Sequence, residues 1–305
     1  MAAVYEGKID FKVGSETYQT WYKTYGDVKN SKHRPLVLVH GGPGMSHHYL
    51  LPHKIIYEKL GIPLLFYDQI GNSASSHCPG VPESFWTPDL FMDELDNIIH
   101  ALGLSDDFDL FGQSWGGMLV AQYAATRAPK GLKRLIIANS PASVPLMVKG
   151  FDVLLDKFPQ EFKDIIRKHE EAGTYEDKEY QDATQVFYKK HICTNDPWPE
   201  ELNTTLGCAI SNPTVYRAML GPSEFTVIGS LKDWSIVDIL HKISVPTLLF
   251  SSPNDEIQEI SVFPFFTKIP KIKWVELQNS SHLPAFEEPE RYFDVLFSFL
   301  KEVEI

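Results

Sequence analysis

Cysteine is scarce: 305 residues hold only Cys78, Cys193 and Cys208. Three scattered thiols cannot frame a small disulfide-stapled fold, and no pair has zinc-finger spacing. Reduced thiols in a cytoplasmic protein are the expectation. Cations are also short, with 28 Lys and Arg against 40 Asp and Glu and a formal net charge of −12. Phosphate contacts need clustered basic residues, so nucleic acid is not an expected partner. No apolar run approaches the roughly 20 residues that span a bilayer, so no membrane partner is expected either. The N-terminus, Met1 to Asp10, carries Glu6 and Asp10 and no apolar segment, unlike a signal peptide. Residues 301–305 match no retention or lipidation signal. The sequence carries no signal of oligomeric state.

What is present is a chain long enough for one large domain, or for a core with a smaller domain inserted. Short, partly β-branched apolar runs recur: Leu36 to Val39, Leu64 to Tyr67, Phe108 to Phe111, Leu135 to Ala138 and Thr247 to Phe250. Such runs suit strands buried on both faces of a parallel sheet. Tyr5 to Val13 and Thr17 to Tyr25 read as a hairpin around Gly14 and Ser15, and Ile272 to Leu277 as a last strand. Helical periodicity marks Asp89 to Leu102, Trp115 to Arg127 and Pro289 to Val303, with Asp89 placed to start the first. Strands alternating with helices predict a mostly parallel sheet with helices on both faces. From Pro141 to Trp234 no buried-strand run occurs; amphipathic stretches at Phe151 to Phe158, Glu161 to Glu171 and Tyr180 to His191 predict a helical insertion. The expected division is a core of residues 1–140 and 235–305 and a helical cap at 141–234.

The chemistry is carried by Gly112-Gln113-Ser114-Trp115-Gly116, a G-x-S-x-G pattern directly after a strand and directly before a helix. That is the context of a nucleophile elbow, in which a strained turn lifts the serine hydroxyl above the sheet. His40-Gly41-Gly42-Pro43-Gly44 follows the strand Leu36 to Val39. A glycine-rich loop there lets a backbone amide approach a substrate oxygen, so Gly42 and Trp115 are the expected oxyanion donors, with Gly41 at the substrate. It is not a phosphate loop, since the Lys-Ser/Thr ending is absent and Pro43 removes a donor. Asp255 and His282 follow the strands Thr247 to Phe250 and Ile272 to Leu277, in the Ser, acid, His order of such folds. Ser114 is thus the expected nucleophile, His282 the base and Asp255 the orienting acid. Asp238 and His241 are weaker candidates, because Asp238 precedes its strand and His241 lies in a helical stretch. Asp68 reads as structural, and His47, His48 and His53 lack partners at metal-ligand spacing. No metal and no cofactor is expected.

Together, His-Gly-Gly-Pro-Gly at 40–44, Tyr67-Asp68-Gln69 with Gly71, and Gly-Gln-Ser-Trp-Gly-Gly at 112–117 resemble the proline iminopeptidase family and its related L-amino acid amidases. The resemblance continues through Gly221-Pro222-Ser223-Glu224-Phe225 and Leu231-Lys232-Asp233-Trp234. It implies an α/β-hydrolase fold with a helical cap, and release of an N-terminal residue, often proline, from a short peptide or amino acid amide. It also implies that Glu224 and Glu256 bind the free α-amine. The chain departs from the family at Asp68-Gln69-Ile70-Gly71-Asn72-Ser73-Ala74-Ser75, where Ser73 replaces a second glycine and a common arginine is absent. Two other readings keep the same residues: an esterase or lactonase on a small secondary metabolite, and a binding homologue without turnover. An epoxide hydrolase or dehalogenase would carry Asp where Ser114 stands.

Overall fold

The computed structural model describes residues 3–301. Eight strands form one sheet: β1 Val4–Val13, β2 Glu16–Tyr25, β3 Leu36–Val39, β4 Leu64–Asp68, β5 Phe108–Gln113, β6 Leu132–Ala138, β7 Thr247–Ser251 and β8 Ile272–Glu276. Their spatial order is β1-β2-β4-β3-β5-β6-β7-β8. The β1–β2 hairpin and the β2–β4 pair are antiparallel, and every pair from β4 onward to β8 is parallel.

The helices are α1 Lys54–Leu60, α2 Pro88–Ala101, α3 Trp115–Thr126, α4 Val144–Leu155, α5 Gln160–Ala172, α6 Lys178–His191, α7 Glu200–Ser211, α8 Thr214–Met219, α9 Glu259–Lys268, α10 Pro284–Glu287 and α11 Pro289–Lys301. The expected helix over Pro289 to Val303 is thus present to Lys301, and positions 302 and 303 lie outside the described residues. Helix α2 carries Asp89 in its first turn, as expected of a residue that helps start it, and its cap is Thr87, which accepts from the Leu90 amide at 3.2 Å.

The apolar strand runs explain the layering. Successive strand residues point to opposite faces. Val37, Leu65, Leu110, Ile137 and Leu249 join one core, with residues of α2, α3 and α9. Leu38, Phe66, Phe111, Ile136 and Phe250 join the other, with Ile56 of α1 and Leu296 and Leu300 of α11. Each such side chain, fully buried, contributes about 1.5–3 kcal/mol. At the start of β5, Asp109 is buried but paired, with Arg134 Nη2 at 2.8 Å; Arg134 also donates to the Phe299 and Leu300 carbonyls, tying α11 to the sheet. Between β6 and β7 run α4 to α8, without a named strand among the described residues. The loops that leave β3, β5, β7 and β8 all emerge at the carboxyl edge of the parallel strands, where open α/β sheets place their sites.

Candidate active site

At the end of β5 the chain turns at Ser114 into α3. Ser114 has φ 56° and ψ −126°, outside the regions a side chain adopts without strain. Close packing holds it there. A Cβ on Gly112 would lie 2.2 Å from the Gly116 carbonyl oxygen, and one on Gly116 2.2 Å from that of Val39. Only glycine fits either position, which is why the pattern needs both. The Ser114 amide donates to the Ala138 carbonyl at 3.0 Å. Ser114 itself is half-buried. The Trp115 amide opens α3, and the first amides of a helix have no intrahelical acceptor. The Trp115 indole is fixed by donating to Gln69 Oε1 at 3.0 Å.

His282 stands on the loop after β8, with Nδ1 2.7 Å from Asp255 Oδ1. Asp255 is fully buried; its Oδ1 also accepts from the Ile257 amide and its Oδ2 from Asn139 Nδ2. A carboxylate so bonded is an acceptor, which places the imidazole proton on Nδ1 and leaves Nε2 free to take another. Burial disfavours the imidazolium, but the charge and hydrogen bond of Asp255 outweigh it and lift the His282 pKa above its ordinary 6.5. Gln113 Nε2 donates to the His282 carbonyl at 3.1 Å, so the histidine loop is bonded to the residue next to Ser114.

The glycine loop after β3 borders the serine. His40 is buried; its Nδ1 donates to the Gly41 carbonyl and its Nε2 accepts from the Gln69 amide. Burial pushes its pKa down, so it is a neutral strut. Gly42 has φ 120°, and a Cβ there would lie 2.6 Å from the Gly44 amide nitrogen. Gly41 meets the site through its backbone: a Cβ there would be 3.0 Å from Ser114 Cβ. Its amide is already committed to the Tyr49 hydroxyl at 2.7 Å.

Glu224, on the loop after α8, and Glu256, beside Asp255, are brought together. Each has a buried Oε2 with no hydrogen-bond partner among the described residues. Burial raises the Glu224 pKa against the opposing influence of Glu256, His282 and the Tyr216 hydroxyl. Burial first, and then the charges of Glu224 and Asp255, lift Glu256 well above the carboxylate range. Two carboxyl groups so close oppose each other's ionisation, which favours a proton on the pair. Tyr188 and Tyr216 are pushed up by burial and by both carboxylates, so they border the same space. A Cβ on Gly44 would lie 3.0 Å from the Tyr216 amide nitrogen, which sets α8 against the glycine loop.

The remaining candidates lie elsewhere. Asp68 is buried and accepts from the His47 amide and from His47 Nδ1, both at 2.9 Å, as a structural group would. His53 bonds the Leu50 carbonyl and the Tyr292 hydroxyl, and His48 bonds Ser46 Oγ. Asp238 and His241 are exposed. Ser73 has φ 44°, a left-handed backbone in which glycine is the easier residue. Three site residues escape the sequence patterns: Tyr49, Gln113 as a bonding group, and Asn139. Only Asn139 left a local trace, an Asn directly after a buried strand, where its φ of 47° suits that side chain better than most.

A mostly parallel sheet with a serine at a strained elbow and a histidine–aspartate pair on neighbouring loops defines the class: serine hydrolases of the α/β-hydrolase fold. The α/β-hydrolase fold family profile matches residues 34–289. The chain is 37% identical over 268 residues to the proline iminopeptidase of Thermoplasma volcanium, covering 88% of each. Among solved structures, VinJ matches with a TM-score of 0.91 and 43% identity over 97% of this chain and 98% of that one. The proline iminopeptidase of Mycobacterium smegmatis matches with a TM-score of 0.88 and 36% identity, over 96% and 97%. The chain belongs to the proline iminopeptidase family. No helix among the described residues is long and apolar enough to cross a membrane.

Proposed function

We propose that the protein removes one residue from the free amino end of a short peptide or amino acid amide, through a covalent acyl-enzyme. The observation that carries this reading is the Glu224–Glu256 pair, two buried carboxyl groups with unpaired oxygens near His282. An ammonium is costly to desolvate unless it meets anionic acceptors. Its arrival expels the shared proton and leaves both carboxylates ionised against it. A prolyl terminus, a secondary ammonium, offers two N–H donors, one to each carboxylate.

In the proposed sequence Ser114 Oγ attacks the carbonyl as His282 Nε2 takes its proton. The Gly42 and Trp115 amides hold the oxyanion. The imidazolium then protonates the leaving amine, and water activated by neutral His282 frees the residue. Residues 141–234 act as a cap that closes the amine end of the site. Support comes from Tyr188, Tyr216 and Glu224, all supplied by that segment. The three free cysteines fit a reducing cytoplasm.

The test compares prolyl and alanyl arylamides with their N-acetylated forms. The expected kcat/KM for the acetylated forms is lower by about 100-fold or more, the worth of two charge-assisted hydrogen bonds. Equal turnover of blocked and free amines would overturn the aminopeptidase reading.

A further inference from the structure

We propose that Tyr49 and Gln113 are positioning residues that hold the oxyanion donor and the general base in register around Ser114. The proposal rests on the roles given above to Ser114, His282 and Gly42. Those groups come from loops after three different strands, and their alignment has to hold to within about 0.5 Å for efficient chemistry. A single buried relay spans all three loops. The Gly41 amide donates to the Tyr49 hydroxyl at 2.7 Å, and that hydroxyl donates to Gln113 Oε1 at 2.6 Å. Gln113 Nε2 then donates to the His282 carbonyl at 3.1 Å.

Apart from Tyr49 itself, every member of the relay is one residue from a reacting group, or is one. Gly41 precedes the oxyanion residue Gly42, Gln113 precedes the nucleophile, and His282 is the base. The chemistry of each link is specific. A phenol accepts at one lone pair while donating its proton; a carboxamide accepts at one end and donates at the other. Gln113→Glu would set a carboxylate oxygen against the His282 carbonyl, and Gln113→Met would offer no donor and only a weak acceptor. Tyr49 and Gln113 are each 5% exposed, so solvent does not replace a missing link. Burial also keeps the phenol protonated, since it raises the Tyr49 pKa. Tyr49 is anchored in turn from α7, where Thr205 Oγ1 accepts its backbone amide at 3.1 Å.

The test uses the full chain with Tyr49→Phe, Gln113→Met and the nearly isosteric Gln113→Glu. Active sites are titrated with a fluorophosphonate, and kcat and KM are measured on a free-amine arylamide. We expect kcat per titrated site to fall about 10- to 100-fold, the scale of a misplacement near 1 Å, with KM changed less than about threefold. Phosphonylation should slow in parallel. Because the links act in series, Tyr49→Phe combined with Gln113→Met should cost little more than the worse single variant. A merely structural role would lower Tm and the titratable fraction while leaving kcat per site unchanged. Unchanged kcat per site in Tyr49→Phe together with either Gln113 variant overturns the proposal. Failure of the wild-type protein to react with the probe would instead overturn the serine mechanism on which it rests.

Discussion

Asn139 Nδ2 donates to Asp255 Oδ2 at 2.8 Å, and through the same amide it also reaches the Ser281 carbonyl at 3.3 Å. One side chain at the end of β6 therefore braces both the acid and the loop of the histidine. Asn139→Ala should leave Asp255 Oδ2 buried without this donor. The expected cost is about 1–3 kcal/mol of stability and a fall of roughly tenfold or more in kcat, read by urea melts and steady-state kinetics. Unaltered melts and kinetics would show that the brace is idle.

Ser114→Ala removes the proposed nucleophile without disturbing the elbow, whose geometry is set by Gly112 and Gly116. Its kcat should fall by about a millionfold, with circular dichroism unchanged. Asp255→Asn should cost about ten-thousandfold, because the amide favours the wrong imidazole tautomer. A Ser114→Ala protein that keeps a tenth of the activity would remove Ser114 from the chemistry.

The acid side of the pH profile follows from His282. Its pKa is raised because Asp255 outweighs the burial cost. On the proposed mechanism the imidazolium cannot take the Ser114 proton below that pKa, so activity should be lost as pH falls. The acid limb of kcat/KM should have its midpoint above the ordinary 6.5. A limb centred well below 6.5 would contradict this arrangement.

Amine recognition gives a separate signature. On the proposed binding mode Glu256→Gln removes one of two acceptors for the ammonium and should raise KM for free-amine substrates about 10- to 100-fold. Hydrolysis of N-acetylated substrates, already weak, should change much less. Parallel loss on both substrate classes would detach Glu256 from the amine.

Glu94 offers a stability test away from the chemistry. It is fully buried beneath the Gln69–Ile70 turn, accepting from Thr20 Oγ1 at 2.5 Å and the Ile70 amide at 3.0 Å. Burial lifts its pKa from 4.5 to about 8. The folded protein keeps a proton that the unfolded chain releases, so this group's contribution to stability falls as pH rises through that window. Glu94→Gln has no proton to lose. Relative to wild type it should gain stability between about pH 5 and pH 9, on the order of a few kcal/mol. A difference between the two proteins that does not vary with pH would refute the assignment.

The sheet was legible because its strands are short apolar runs with both faces covered, such as Leu36–Val39 and Thr247–Ser251. Helix α9 was not, because Pro264 lies inside it and Phe263, Phe265 and Phe266 blur its periodicity. The glycine loop and the elbow announce themselves through compact local motifs: the steric demand at Gly112 comes from Gly116 of the same turn, although the demand at Gly116 comes from Val39 of the neighbouring strand. The relay and the brace do not. Tyr49 and Gln113 are 64 residues apart, and Asn139 and Asp255 are 116 apart. Side chains that meet only after folding leave no periodic or motif signal in a single chain.

The same separation governs when the site comes into being. Gln113, beside Ser114, and His282 are 169 residues apart along the chain. During synthesis Ser114 emerges early, with the whole helical insertion and three further strands still to come before His282. On the proposed mechanism a half-made chain is chemically inert, and peptide cleavage begins only once the final strand has closed the edge of the sheet.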